Sequence, residues 1–221
     1  MGDTKHFVVV GLGSFGTALA RRLAKNGCRV TGLDACADRV ELLKNELYEA
    51  IIGDATERDA LQHLPLNTAV ATIISMGEDI TRSLLASLHC KELGASRIIV
   101  KGVTHEHGKL LKCLGVDRVI FPEIEIAEEL ADRITWPNII DFLTIDPEYS
   151  MVELAVPASQ VGKTLQEMNV RRNFGVWIVG IKDALTDKLH MFPGGDFQLN
   201  EDQLLLGIGK QDGLDKLRDM E

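Results

Sequence analysis

A glycine-rich turn directly follows the first apolar segment and limits the possible folds more than any other feature of the chain. Its glycines are spaced as GxGxxG, after a strand-like segment and at the start of a helical one. In this pattern the first glycine permits a tight turn, the second lets backbone N–H groups approach a pyrophosphate, and the third lets helix and strand pack closely. The predicted nucleotide contacts of the turn are Gly11, Gly13, Ser14, Phe15 and Gly16.

Short apolar, β-branched segments alternate with segments of helical period up to about residue 134, as in a parallel sheet with helices on both faces. The predicted strands are His6–Gly11, Arg29–Asp34, Glu49–Gly53, Val70–Ser75, Arg97–Lys101 and Arg118–Phe121. The predicted helices are Phe15–Asn26, Asp38–Glu46, Glu57–Leu64, Asp79–Leu93, Glu106–Leu114 and Glu123–Ile134. Gly27, Gly94 and Gly115 are expected as C′ glycines, and Asp38 and Thr56 as N-caps. The fold class is therefore α/β, a Rossmann doubly wound parallel sheet.

The segment Thr135-Trp136-Pro137-Asn138 interrupts this alternation, because proline blocks a helix and moves its predecessor to an extended conformation. We predict a linker at residues 135–138, between a Rossmann domain at 1–134 and a small α+β domain at 139–221. The predicted strands of the second domain are Asp141–Asp146, Met151–Val156, Trp177–Lys182, Leu189–Phe192 and Gln203–Ile208. Its predicted helices are Gly162–Met168 and Asp212–Asp219.

Asp34 ends the second predicted strand, where a carboxylate can accept hydrogen bonds from both ribose hydroxyls of a dinucleotide. The same charge repels the 2′-phosphate of NADP, and Ala35, Cys36 and Ala37 supply no cation to hold it, so NADP is disfavoured. The alternative is that the glycines serve only a strand-to-helix turn and that Asp34 is a solvated strand-end residue. The agreement of strand, glycine spacing and acid favours the nucleotide site.

Further candidates lie at the carboxyl ends of predicted strands, where open α/β sheets bind ligands. They are Asp54, Ala55, Thr56, Ser75, Met76 and Lys101. The group after the third strand suits adenine-side contacts, and an Asx-type turn with a helix N-cap explains it equally well. The pair after the fourth strand suits ribose or phosphate contacts, or a plain turn. The lysine is expected as a phosphate partner, since no base stands near it in the sequence.

Charge and hydropathy exclude several classes of function. A net charge of −9 and a pI near 5.2, without any Lys/Arg block, argue against a nucleic-acid partner. No apolar run approaches the roughly 20 residues that cross a bilayer, so we expect a cytoplasmic protein without direct membrane insertion. Cys28, Cys36, Cys90 and Cys113 form no CxxC pair, and we expect reduced thiols that pack as small hydrophobes and have no assigned function.

Catalytic constellations are missing from the sequence pattern. A dehydrogenase needs an acid or base presented against the nicotinamide, and the second domain holds one histidine, His190, without a Ser/His/Asp or Cys/His arrangement. Histidines two apart on a helix point to different faces, so His105 and His107 do not form a metal dyad, and we expect His107 to be solvated. We predict that the chain is not an enzyme.

The order of these features resembles the RCK domains (regulators of potassium conductance) of KtrA/TrkA-type proteins. The segments that carry the likeness are VVVGLGSFG at 8–16, Asp34, GDAT at 53–56, GVDRVIFPE at 115–123, YSMVEL at 149–154, GKTL at 162–165 and NVR at 169–171. The likeness covers nearly the whole chain, with a Rossmann half followed by the smaller C-terminal RCK half. It is strongest for the KtrA branch.

The resemblance implies a cytosolic gating subunit, peripheral at the inner face of the cell membrane. It implies a homo-oligomeric ring, octameric in the KtrA branch, beneath an integral membrane potassium-translocating subunit of the KtrB or TrkH type. ATP, ADP or NAD(H) bound in the Rossmann sites would then control conductance through the shape of the ring. A small NAD-dependent oxidoreductase and a redox-sensing NAD-binding regulator are the alternatives from other functional classes.

Two positions qualify what the resemblance implies for the site. Ser14 stands where many KtrA-type chains have an arginine that reaches a neighbouring subunit's nucleotide, so discrimination of ATP from ADP does not carry over. Glu123 matches a carboxylate that KtrA-type proteins place near the phosphates, where it would hold Mg²⁺ or Ca²⁺. From its local sequence, Glu123 is equally explained as an acid at the positive end of a helix dipole.

Overall fold

The computed structural model describes residues 4–77, 79–135, 139–146 and 148–218. The chain divides into two compact units, of which the first ends at Glu123 and the second begins at Ile124. Trp136, Pro137 and Asn138 of the predicted linker lie outside the described residues, as does Asp219 at the end of the last predicted helix. The domain limits drawn from the sequence therefore stay predictions.

The first unit is built on a six-stranded sheet in the order β3-β2-β1-β4-β5-β6, and every neighbouring pair is parallel. Its strands are β1 (His6–Val10), β2 (Arg29–Asp34), β3 (Glu49–Ile52), β4 (Ala71–Ile74), β5 (Ile98–Lys101) and β6 (Arg118–Ile120). The strand order reverses between β1 and β4, and open sheets of this kind bind ligands at the carboxyl ends beside the reversal. The predicted Rossmann sheet is confirmed.

Helices connect the strands of this sheet, and a further helix follows its last strand. The connecting helices are α1 (Ser14–Lys25), α2 (Ala37–Leu43), α3 (Arg58–Leu61), α4 (Ile80–Glu92) and α5 (His105–Cys113), and α6 (Pro122–Thr135) follows β6. Gly27, Gly94 and Gly115 follow their helices with φ of 80°, 81° and 79°, which confirms them as C′ glycines.

The predicted N-caps of α2 and α3 are wrong. Cys36 occupies the cap position of α2, and Glu57 that of α3. Helix α2 begins early because the backbone N–H of Cys36 is already satisfied by the Asp34 carboxylate, which leaves Asp38 inside the first turn. The Thr56 hydroxyl donates to Asp54 and does not cap the helix.

Apolar side chains cover both faces of the parallel sheet, and β1 shows how. Val8 and Val10 point into one buried cluster with Ile74 and Leu111, whereas Val9 points into the cluster on the other face with Leu43. Successive residues of a strand face opposite sides, so a strand covered on both sides must be apolar throughout. This packing fixes the strand ends from which the site is built.

The second unit is an antiparallel sheet in the order β10-β9-β11-β8-β7 with short helices. Its strands are β7 (Ile139–Thr144), β8 (Tyr149–Ala155), β9 (Trp177–Asp183), β10 (Leu189–Met191) and β11 (Gln203–Lys210). Its helices are α7 (Leu165–Met168), α8 (Val170–Phe174) and α9 (Gln211–Arg218). The predicted small α+β fold is confirmed. Helix α8 escaped prediction because Asn169, with φ of 48°, separates it from α7 by a single left-handed residue.

We predict that the glycines of the GxGxxG turn differ sharply in their contribution to stability. A Cβ at Gly16 would lie 1.9 Å from the carbonyl oxygen of Gly11, so Gly16→Ala should lower the free energy of unfolding by about 2 kcal/mol or more. Gly13→Ala is the matched control, because a Cβ there meets no described atom within 4 Å, and its stability should stay within about 0.5 kcal/mol of the parent. Urea unfolding measures both, and equal stabilities would contradict the packing argument.

Candidate functional site

A cavity of about 440 Å³ opens at the carboxyl ends of the first four strands of the parallel sheet. The residues predicted from sequence that line it are Gly11, Gly13, Asp34, Ala55, Ser75 and Met76. They come from four separate connections between strand and helix, and the reversal of strand order brings them together. Cavities of this size are typical of small-molecule sites.

The glycine-rich turn directs the N-terminus of α1 into this cavity. Gly11 adopts φ of 91° and lies against the backbone of Ser75, where a Cβ would come within 2.1 Å of the carbonyl oxygen. Gly13 occupies the cap position of α1, so no side chain caps that helix end, and the first turn contains no acidic residue. The backbone N–H groups and the positive end of the helix dipole therefore form a site suited to an anion.

Asp34 connects the glycine-rich turn to the end of β2. Its side chain is only 9% exposed, so it is not the solvated strand-end residue of the alternative interpretation. One carboxylate oxygen accepts a hydrogen bond from the Leu12 backbone N–H at 2.6 Å, and the other accepts from the Cys36 N–H at 2.8 Å. The oxygen that binds the Cys36 N–H has no second side-chain donor among the described residues and can accept another hydrogen bond, so the carboxylate is held in place and is still able to bind a ribose hydroxyl.

Arg39 is a residue of this site that the sequence analysis missed. It lines the cavity, and its Nη1 lies 3.5 Å from an Asp34 oxygen. The sequence argument against NADP considered only the residues immediately after Asp34, and Arg39 lies five positions further along, in α2. The argument that no cation near Asp34 could hold a 2′-phosphate is therefore wrong, because the first turn of α2 brings the Arg39 side chain back to the end of β2.

Asp54 and Thr56 form the Asx turn that the sequence left open as one interpretation. Asp54 Oδ1 accepts hydrogen bonds from the Thr56 backbone N–H at 2.9 Å and from the Thr56 hydroxyl at 2.8 Å. Arg82, in the first turn of α4, donates from Nη2 to both Asp54 oxygens at 2.9 and 3.0 Å. The Thr56 hydrogen bonds first, and then the Arg82 guanidinium, hold the pKa of Asp54 below its ordinary value.

Arg82 lines the cavity, whereas Asp54 and Thr56 are not among the lining residues. Arg82 was not predicted, since it lies 28 positions beyond Asp54 in the sequence. A basic residue in the first turn of the helix after a switch-point strand is the local signal that could have identified it.

Lys101 and Glu123 form an ion pair across the ends of β5 and α6. The Lys101 hydrogen bond holds the pKa of Glu123 below its ordinary value. Neither residue lines the cavity, and Ser14 lines a neighbouring depression that also includes Arg21. Over the described ranges, no group of three or more His, Cys, Asp or Glu residues is placed to hold a metal ion.

His107 is buried, so the expectation that it is solvated is wrong. It is 1% exposed, because His107, Gly108 and Leu111 form the inward face of α5. The Val103 backbone N–H donates to its Nδ1 at 3.2 Å, and burial lowers the pKa of the ring. A neutral packing histidine fits these contacts.

The cysteines are free thiols, as expected, but Cys36 and Cys113 are exposed, so the expectation that all four pack as small hydrophobes is wrong. Cys90 lies in the core, where burial raises its thiol pKa to about 12. No described helix is both long and apolar enough to cross a membrane.

Both units match known protein families. Residues 7–122 match the TrkA-N domain, and residues 151–220 match the TrkA-C domain. The Ktr system potassium uptake protein C of Bacillus subtilis (strain 168) is 32% identical over 205 residues, which cover 93% of this chain and 92% of that protein. The Ktr system potassium uptake protein A of Vibrio alginolyticus is 28% identical, over 95% of this chain and 94% of that protein.

Solved structures share the fold. The GsuK RCK domain superposes with a TM-score of 0.65 at 21% identity, covering 99% of this chain and 48% of that one. A GsuK channel bound to NAD superposes with a TM-score of 0.62 at 20% identity, covering 97% of this chain and 39% of that one. The chain thus spans less than half the length of either solved structure.

Proposed function

The chain belongs to the TrkA-type family of potassium uptake proteins, with a TrkA-N and a TrkA-C domain, and on this premise we propose that it is the regulatory subunit of a potassium channel or transporter, controlled by a bound adenine nucleotide. The observation that carries the proposal is the uncapped N-terminus of α1 beside the buried Asp34 carboxylate. An anion site with a ribose acceptor beside it suits the pyrophosphate and ribose of ATP, ADP or NAD(H).

Each part of the nucleotide has a proposed partner in the chain. The phosphates bind the backbone N–H groups at Gly13, Ser14 and Phe15, and the ribose hydroxyls donate to Asp34. Gly13 supports this placement, because the space beside its Cα is open and needs no glycine for packing within the described residues. Nucleotide binding then serves regulation and not catalysis, since the Ktr proteins that match nearly the full chain are potassium uptake proteins by name.

The proposed location is the inner face of the cell membrane, beneath an integral potassium-translocating subunit of the KtrB or TrkH type. The proposed assembly is a homo-oligomer, an octameric ring. Helix α6 supports self-association, because Ile126, Leu130 and Ile134 are 62%, 56% and 74% exposed and lie four residues apart on one helical face. A continuous apolar stripe of this kind is costly in water and suits contact with a second copy.

Regulation requires that the nucleotide bind two states of the assembly with different affinity. A ligand that binds both states equally shifts nothing, however tightly it binds. The Asp34 carboxylate already joins β2 to the glycine-rich turn, so a nucleotide that contacts both elements senses their relative position.

We predict that Asp34→Ala weakens adenine-nucleotide binding by more than tenfold, because it removes a charged acceptor for the ribose, at a cost of about 1.5–3 kcal/mol. Calorimetry with ADP, ATP and NADH measures the loss. In proteoliposomes that contain a KtrB/TrkH-type subunit, potassium flux with the parent chain should depend on the nucleotide, and with Asp34→Ala it should not.

Asp38→Ala is the matched control for this experiment, since Asp38 is an exposed acid nearby in α2. It should leave both binding and flux regulation unchanged. Unchanged affinity in Asp34→Ala would exclude the ribose assignment, and nucleotide-independent flux with the parent chain would exclude the gating function.

We predict that the purified chain is a homo-oligomer through its α6 stripe. Leu130→Glu places a charge at the centre of the stripe and should shift the mass measured by light scattering to a smaller species. Leu185→Glu is the control, because Leu185 is an exposed leucine outside α6, in the second unit. A monomeric parent chain, with and without nucleotide, would contradict the ring.

We predict that a divalent cation strengthens nucleotide binding through Glu123, in place of the Lys101 ammonium that now neutralises it. Glu123→Gln should then abolish the enhancement by Mg²⁺ or Ca²⁺ and leave cation-free binding almost intact. Titrations with and without each cation measure the effect, and Glu128→Gln on the exposed surface of α6 is the control. If the cation effect persists in Glu123→Gln, the Glu123 carboxylate does not bind the cation, and it only pairs with Lys101 and stabilises the start of α6.

A further inference from the structure

Arg82 and Arg39 are the two cationic side chains that line the cavity within the described residues. Arg82 lines the cavity together with Gly53 and Ala55, at the carboxyl end of β3. In the Rossmann arrangement this end of the crevice faces the adenine base, whereas the phosphates lie at the glycine-rich turn. Arg82 thus stands where the base of a nucleotide would lie, which rests on the function proposed above.

Asp54 holds the guanidinium of Arg82, and Asp79 holds its backbone. Nη2 donates to both oxygens of Asp54, and Asp54 is itself held by the backbone and hydroxyl of Thr56. At the other end of the residue, the Arg82 backbone N–H donates to the cap residue Asp79 at 3.1 Å. A side chain that is already ordered loses little entropy when a ligand packs against it.

The surrounding charges make this arginine a poor phosphate clamp. Two carboxylates, Asp54 and Asp79, both hydrogen-bond to Arg82, so the local sum of formal charges is negative. This net negative charge would repel a phosphate, whereas it would not repel a neutral base. A guanidinium is also planar and stacks on the faces of aromatic rings, including nucleic-acid bases.

We propose that Arg82 is a specificity-determining residue that stacks on the adenine ring, and that Asp54 is a positioning residue that acts through Arg82. The sequence pattern placed Asp54 itself against the nucleotide. In the proposed arrangement Asp54 lies behind the contact and sets the plane of the guanidinium.

The experiment measures the affinity of AMP, ADP and ATP for the full chain by calorimetry at constant salt. Arg82→Met keeps the length of the side chain and removes the planar cation, and it should weaken all three nucleotides by the same factor, about tenfold. CDP, with its smaller ring, should lose less. Arg22→Met removes the same charge from the exposed surface of α1 and should change none of these affinities.

Two further variants separate stacking from structure. Arg82→Lys keeps a positive charge opposite Asp54, and so keeps the fold, but lacks the planar group; it should also weaken the three adenine nucleotides equally. Asp54→Asn should cause a smaller loss, and none in addition when combined with Arg82→Met, because Asp54 acts only through the arginine. An additive loss in the double variant would overturn the positioning role.

A loss that grows from AMP to ATP would overturn the stacking proposal, because it would mean that Arg82 contacts phosphate. Unchanged affinities in Arg82→Met and Arg82→Lys, with the parent chain binding normally, would overturn it while the proposed function stands. A parent chain that binds none of the three nucleotides would instead overturn the proposed function, and the stacking role with it.

Discussion

The approach of Gly16 to the carbonyl of Gly11 is the constraint on which the rest of the site depends. Because Gly16 has no side chain, α1 can begin directly beneath the end of β1, where a Cβ would lie only 1.9 Å from the Gly11 carbonyl oxygen. Its N-terminus then opens into the cavity with Gly13 as its cap. The Asp34 carboxylate reaches the same turn from β2 and accepts a hydrogen bond from the Leu12 N–H, which ties the end of β2 to the glycine-rich turn.

The arginine side chains that line the cavity are paired with carboxylates. Arg39 is paired with Asp34, and Arg82 is paired with Asp54, so each arginine that lines the cavity in the described chain faces a carboxylate. The uncompensated positive potential lies instead on the backbone N–H groups of α1. This division of charge supports the proposed placement of phosphate at the backbone N–H groups and of ribose and base at the side chains.

The sequence predicted the strands well because each is a short, continuously apolar segment, and only a sheet covered on both faces buries such segments. It predicted helix starts poorly. Helix α2 has Cys36 as its N-cap instead of Asp38, and the Cys36 N–H donates to Asp34. The Thr56 hydroxyl donates to Asp54 and therefore does not cap α3. Local rules assign a polar side chain to its own helix, but these side chains bind whichever donor the folded chain brings nearest. The prediction for His107 was wrong because helical periodicity alone does not say which face of α5 is buried.

The sequence by itself determined the chemistry of the turn, since GxGxxG after a strand, with Asp34 at the end of the next, leaves few other structures for that segment. It also determined the two-part architecture, through the change from parallel-type alternation to a small antiparallel unit. Only the tertiary structure decided that Arg82 enters the cavity, that Asp54 pairs with Arg82, and that Lys101 pairs with Glu123. The Asp54–Arg82 and Lys101–Glu123 pairs each join residues on different connections of the sheet. The crossover order that brings them within hydrogen-bonding distance is a property of the folded chain and not of any local segment.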